Sequence, residues 1–374
     1  MSTLARTDNS ILTRWWWTVD RWNLAAVVAL AVTGAVMALA ASPPVAARLG
    51  LDTYYFAGRQ VLFLAFGLLV VVCVSLLSPK GVRRLAMATL AGSMIAMVAV
   101  LAVGPEIKGA TRWISLGAFS LQPSEFVKPA LAVTAAWFFA QARLHEGYPG
   151  NLVATGLFLM VAALLLMQPD VGMTMVVAAV WGVQFFLAGL PIVWVMGIGC
   201  AFLAASVGAY FTFSHVQARV DRFFDPSAGE GYQVMRSLDA FHNGGLTGRG
   251  PGEGRVKEVL PDAHTDFIFA VAGEEFGMLV CVAIVGIFAF VVVRGLSRAY
   301  KDDNLFILLA SAGLLVQFAV QAMINLASTL HLIPPKGMTL PFVSYGGSST
   351  IAIAFGFGMM LALTRLRPGE GGAK

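Results

Sequence analysis

The chain is 374 residues long, 58% apolar, only 12% charged, and carries a formal charge of +5 at neutral pH. A water-soluble domain carries about twice that share of charged residues, and the mean hydropathy here is +0.78. A soluble globule, a disordered chain and a disulfide-stapled secreted domain are excluded, and an integral membrane protein is expected.

Taken in chain order, Trp15, Trp16 and Trp17, with Trp22, read as interfacial anchors ahead of a first span. Runs of mostly apolar residues, at or near the ~20 needed to cross a bilayer, lie at 24–42, 61–78, 85–103, 124–142, 152–168, 173–189, 191–213, 266–293, 304–329 and 348–365. The expected fold is therefore an all-α polytopic membrane protein of about ten transmembrane helices. It is read as a single domain over 1–374, with a large extracytoplasmic loop at 214–265 between spans seven and eight. An even number of spans puts both termini on one side. With the N-terminus inside, thirteen basic residues, Lys80, Arg83, Arg298, Lys301 and Arg365 among them, fall in the cytoplasm. Six fall in short outer loops and the adjoining span ends, so the basic excess favours cytoplasmic termini. That distribution accounts for the net charge without any nucleic-acid partner. Cys73, Cys200 and Cys281 stand alone in apolar runs and read as small packing residues rather than zinc ligands or a disulfide.

Polar residues gather in four segments, all on the expected outer side: 104–129, Gln168–Gly172, 214–265 and 331–350. In the long loop, Val234, Leu238 and Phe241 recur at helical spacing, which predicts a short amphipathic helix on the membrane surface. Beyond it, Gly244, Gly245, Gly248, Gly250, Gly252 and Gly254 interleave with Arg249, Arg255 and Lys257. That composition suits a flexible loop or a phosphate contact. With no preceding strand and no GK[ST], it is not a P-loop.

His264, Thr265 and Asp266 follow at the outer end of span eight, with Glu274 and Glu275 about two turns deeper. Acidic groups at such depth face the protein interior or a wet cavity. Helix capping or general-base chemistry are the two options for Asp266. For the glutamates the structural option is hydrogen bonding to neighbouring helices. Glu125 and Lys128, three residues apart, share a face of span four. A proton relay, an ion pair and a catalytic pair all remain open for them.

Several motifs in order carry a resemblance. They are Gly109-Ala-Thr-Arg-Trp-Ile-Ser-Leu-Gly117 with Gln122-Pro-Ser-Glu-Phe-Val-Lys128, then Gln168-Pro-Asp-Val-Gly172, Ala263-His-Thr-Asp-Phe-Ile-Phe-Ala270 and Pro341-Phe-Val-Ser-Tyr-Gly-Gly-Ser-Ser349. Together they resemble the SEDS family (shape, elongation, division and sporulation) of polytopic membrane glycosyltransferases. Pro335–Pro341, Leu260–His264 with Val271–Glu275, and Tyr54–Gln60 are nearer its division branch than its elongation branch.

The resemblance implies polymerisation of lipid II into peptidoglycan on the outer face of the bacterial cytoplasmic membrane, at the division septum. It places the catalytic carboxylate on Asp266 and substrate contacts on Arg112, Gln122, Glu125, Lys128, His264, Thr265, Lys336, Ser344 and Tyr345. It implies no resident metal site. The one cofactor it leaves room for is a divalent cation such as Mg2+ or Mn2+, neutralising pyrophosphate. Implied partners are a class B penicillin-binding transpeptidase of the FtsI type, other membrane proteins of the division complex, and the bilayer itself. The alternatives are a lipid II flippase or transporter, an elongation-type polymerase, and a non-catalytic scaffold.

Overall fold

The structure, a computed structural model, describes residues 10–105, 111–115, 117, 120–212, 217, 221, 231–334 and 337–366. A short helix α1 (Ile11–Thr18) opens it, followed by α2 (Arg21–Arg48), α3 (Tyr55–Ser75) and α4 (Pro79–Val103). A two-stranded hairpin, β1 (Ile114–Ser115) with β2 (Ser120–Leu121), leads into α5 (Pro123–Leu144). Next come α6 (Gly150–Met167), α7 (Val171–Leu187), α8 (Ile192–Thr212), α9 (Gly231–Gly244) and the single turn α10 (Val256–Val259). The chain closes with α11 (Ile268–Ala299), α12 (Leu305–Thr329) and α13 (Gly347–Leu363).

The ten expected spans correspond to α2–α8 and α11–α13. Six of these helices are long and apolar enough to cross a membrane, and α7 and α13 are shorter apolar helices. The protein is multi-pass. Its outward faces carry exposed Ile95, Val103, Leu152, Leu159, Leu279, Val282 and Val293, a surface that suits lipid and would be an aggregation liability in water.

The interior is set by α5, α12 and α13, which pack on one another. Small residues let their backbones approach closely, as between membrane helices generally. Ala130, Ala132, Ala135, Ala136 and Ala140 are buried on α5, and Ala352, Ala354, Gly356 and Gly358 on α13. At the far end from the loops, Asp20 N-caps α2 and accepts from Arg294 (2.9 Å) and Arg298 (3.0 Å), pinning α2 to the last turns of α11. The tryptophans divide. Trp17 and Trp22 are exposed, whereas Trp15 turns inward and donates its indole N–H to Ser75 Oγ at 2.7 Å.

α11 is not one continuous helix. At Gly277 the backbone swings to φ 80°, ψ −178°, and the segment 245–250 of the long loop enters the break. Met278 and Leu279 N–H donate to Gly245 and Leu246 carbonyls (2.9 and 3.2 Å), while Arg249 and Gly250 N–H donate to Glu274 and Glu275 carbonyls (3.0 Å each). Irregular backbone at membrane depth is tolerated only when another part of the protein satisfies it, and here the loop does so. Any side chain at Gly277 would run into the backbone of Leu246 and Gly248.

The predicted amphipathic helix exists as α9, and it docks on the protein through Ser237, Ala240 and Phe241 while Met235 and Leu238 stay exposed. Phe241 lies over Gly273 and beside Phe269, and Ser237 Oγ donates to the Thr329 carbonyl at 2.7 Å.

Candidate active site

Asp266 does not cap a helix, contrary to one expectation. α11 begins at Ile268, Phe267 holds the N-cap position, and no side-chain capping bond is made there. Asp266 belongs instead to a tight turn whose first residue, Asp262, takes a left-handed φ of 52°. The Asp262 carbonyl accepts from the N–H groups of Thr265 and Asp266 (3.1 Å each) and from Thr265 Oγ1 (3.1 Å). The Asp266 carbonyl is held from below by Asn325 Nδ2 at 2.9 Å, and the same amide donates to Met338 O at 2.7 Å. One asparagine on α12 thus ties the Asp266 turn to the 337–346 loop.

Asp266 lies on a cavity of about 460 Å³, a size suited to ligand binding. Six of the expected site residues line it, Arg112, Gln122, Glu125, Thr265, Asp266 and Tyr345, together with Arg59, Asp170, Asp262 and Thr339. These residues come from α3, the hairpin, α5, the start of α7, the turn before α11 and the loop before α13.

Each is fixed from behind. Arg112 donates to the carbonyls of Gln168 (2.8 Å) and Pro169 (2.6 Å), covering the C-terminal end of α6, and sits 3.4 Å from Asp170, the N-cap of α7. Glu125 and Lys128 form a buried ion pair at 2.8 Å. Lys128 also donates to Gln321 Oε1 (3.0 Å), Gln321 Nε2 donates to Thr339 O (3.2 Å), and Thr339 and Ser349 share a hydroxyl bond of 2.7 Å. This network joins α5, α12, the 337–346 loop and α13.

Three expected substrate contacts lie behind the cavity wall. Lys128 is one, directed at Glu125 and Gln321. His264 packs between Phe56 and Tyr345, with tilted rings whose centres lie 4.6 and 5.3 Å away, and its carbonyl accepts the Tyr345 N–H at 2.9 Å. Burial pushes its imidazole down to about 4, with Asp262 opposing and Arg48 adding to the shift, so it is neutral at pH 7. Burial raises the Tyr345 phenol, against the pull of Arg59. Ser344 accepts the Leu340 N–H at 2.8 Å and its carbonyl accepts from Gln60 Nε2 at 3.0 Å, closing the turn that presents Tyr345. Lys336 lies outside the described residues.

The glycine-rich loop is not a free tether. Glu274 accepts the N–H groups of Arg255 (3.0 Å) and Val256 (3.0 and 3.2 Å), and Glu275 accepts that of Gly252 (2.9 Å) and pairs with Lys257. Arg249 lies 4.0 Å from Glu274. The N–H groups of Gly252, Arg255 and Val256 and the Lys257 ammonium are therefore engaged by the two glutamates, which bond this loop rather than neighbouring helices.

Sequence reasoning passed over Arg59, Gln321 and Asn325 as site residues. A polar amide inside an apolar span is itself a signal, because it is costly there without a partner, and Gln321 and Asn325 carry that signal.

The FtsW/RodA/SpoVE family, described as cell cycle proteins, matches residues 21–368. Among curated relatives, the chain is similar to a probable peptidoglycan glycosyltransferase FtsW of Caulobacter vibrioides, at 47% identity covering 99% of this chain and 95% of that one. The FtsW of Escherichia coli O157:H7, named in the same way, is 34% identical, covering 94% and 88%. Among solved structures, a peptidoglycan synthase complex that coordinates polymerization and crosslinking superposes with a TM-score of 0.77 at 28% identity, over 93% of this chain and 98% of that one. Thermus thermophilus RodA does so with 0.70 at 28% identity, over 93% and 97%. With nearly its whole length matched, this chain belongs to the FtsW/RodA/SpoVE family.

Proposed function

We propose that this protein is a peptidoglycan glycosyltransferase of the division branch, polymerising lipid II with Asp266 as general base. The observation that carries the reading is the cavity itself, which gathers Asp266, Arg59, Arg112, Glu125 and Tyr345 from segments far apart in the chain. The names of the curated relatives support the same activity.

In this mechanism the Asp266 carboxylate takes the proton of the acceptor sugar's 4-hydroxyl. That oxygen attacks the anomeric carbon of the lipid-linked sugar from the opposite face. The bond from that carbon to the pyrophosphate oxygen breaks, and undecaprenyl pyrophosphate leaves with the electron pair. Pyrophosphate is a good leaving group, so positioning and charge neutralisation carry most of the burden. Arg59 and Arg112 supply positive charge at the cavity wall, and the buried Glu125–Lys128 pair fixes α5 beneath it.

Among the described residues no group of three or more His, Cys, Asp or Glu side chains is placed to hold a metal ion. A divalent cation such as Mg2+ or Mn2+ fits this donor set only together with a substrate phosphate, since Mg2+ typically takes one or two carboxylates and phosphate oxygens. It would neutralise the departing pyrophosphate. Gln122, Thr265 and Tyr345 would contact the sugars.

We place both termini in the cytoplasm and the Asp266 cavity on the outer face of the septal membrane, with the chain acting as a single domain. Cross-linking would be supplied in trans by a class B penicillin-binding transpeptidase of the FtsI type. A solved relative belongs to a complex that couples polymerization to crosslinking, which supports that partner.

The test is polymerisation of purified lipid II in detergent, with the transpeptidase present. A general base contributes about 10²–10⁴-fold, so Asp266→Asn should lose that much rate while remaining folded. Undiminished polymerisation by Asp266→Asn would remove the assignment. Absence of polymerisation by the native protein would favour a flippase.

A further inference from the structure

At the end of the bundle opposite Asp266 lies a second cavity, of about 1070 Å³, framed by the start of α4, the ends of α5, α11 and α13, and the start of α12. Five cations converge on it, Lys80, Arg83, Arg298, Lys301 and Arg365, against two carboxylates, Asp302 and Asp303. Retention of positive charge on one side of a membrane calls for cations at this end. It does not call for them to line one concavity.

Their bonding separates them into two groups. Arg298 is held by Asp20 at 3.0 Å, and Arg365 donates to Ser75 and Leu76 carbonyls (3.2 and 3.3 Å), covering the C-terminal end of α3. These two build the wall. Lys80, Arg83 and Lys301 have no carboxylate partner among the described residues, and Arg83 lies 4.9 Å over the ring of Trp137. Two buried donors on the same wall, Trp137 Nε1 and Arg298 Nη1, also have no acceptor among the described residues. Asp302 is occupied in accepting the Asn304 N–H at 2.9 Å, and Asp303 is exposed. Cations and N–H donors in surplus, a volume suited to a ligand, and an apolar border of Leu144, Phe306 and Leu366 describe a receptor for an oxyanion at a bilayer edge.

We propose that this cavity binds a phosphate-bearing anion, with Lys80, Arg83 and Lys301 as its ligands. Two sources share that chemistry: the headgroup of an anionic phospholipid, for which basic pockets between membrane helices are known receptors, and a soluble phosphate. The site is remote from the Asp266 cavity, so its failure and that of the glycosyltransferase reading are separable.

The experiment measures binding to the full chain purified in detergent, by native mass spectrometry and thermal shift. The additives are cardiolipin, phosphatidylglycerol, phosphatidylcholine, inorganic phosphate and pyrophosphate. The native protein should bind an anionic lipid or a soluble phosphate at least about tenfold more tightly than phosphatidylcholine. Removal of three phosphate-facing charges in Lys80→Gln/Arg83→Gln/Lys301→Gln should cost about tenfold or more. Preference for the two anionic lipids over free phosphates assigns the headgroup, and the reverse assigns the soluble ion. Equal binding of all additives, or unchanged affinity in the triple variant, overturns the proposal. If the triple variant fails to accumulate, Lys301→Gln alone leaves the other inner cations in place. It should weaken binding about threefold, and no change in it overturns the proposal equally.

Discussion

Two clusters of buried charge flank Asp266, and they differ in what lies beside them. Glu274 and Glu275 are sealed, with side chains of zero exposure that accept backbone N–H groups, and Glu275 also pairs with Lys257. Glu125 and Lys128 are nearly as buried, yet Glu125 opens on the 460 Å³ cavity that holds Asp266. Both pairs satisfy the demand that charge at membrane depth be partnered. Only the second has space beside it for a substrate. Acidic residues in an apolar span therefore announce a costly feature, and the neighbouring volume decides whether it is a strut or a site.

The sharpest way to break this contrast is Glu275→Ala. It strands the buried Lys257 and the Gly252 N–H, and removal of one partner from a buried pair costs about 3–5 kcal/mol. Thermal melts should show a severely destabilised protein, and a near-native melt would mean that the loop is not held by this pair. Lys128→Met should cost less, about 1.5–3 kcal/mol, because Glu125 can be hydrated from the cavity. The double variant Glu125→Gln/Lys128→Met should recover most of that stability in the same melts. A double variant no better than the single would show that the pair is as sealed as the glutamate latch.

The smallest effect concerns His264, whose imidazole sits at about 4 when folded and near 6.5 when unfolded. Above pH 6.5 neither state is protonated and the contribution is complete. As pH falls below 6.5 the unfolded chain takes up a proton that the folded one refuses. Stability is then lost, by about 2 kcal/mol at pH 5. Melts at pH 7.5 and 5 should show this slope, and His264→Gln should flatten it.

The ten helices were legible because a bilayer imposes a length and an apolarity that local sequence must display. The shared face of Glu125 and Lys128 was legible too, as helix periodicity puts residues three apart together, while the choice of an ion pair among the three open readings came from the structure. The partner of Glu274 and Glu275 was not, since nothing in the helix names a loop some twenty residues earlier as the donor to its carboxylates. Asp266 was marked as chemical but misread as a possible cap, because the left-handed turn at Asp262 delays the helix by two residues. The brief hairpin at 114–121 escaped notice, its paired strands being only two residues each.

The break at Gly277 also bears on how the protein enters a membrane. The stretch from Met278 to Ala299 is about 22 residues, or about 33 Å as a helix, which spans the hydrocarbon by itself. The Ile268–Phe276 half, with both glutamates, has no need to face lipid at any stage. Insertion can be completed by this stretch, which holds no carboxylate and carries Arg294 and Arg298 only in its last turns, and the loop then threads its peptide groups into the gap from the water side. The turn bearing Asp266 is thus assembled on a helix stub built by folding rather than by membrane insertion.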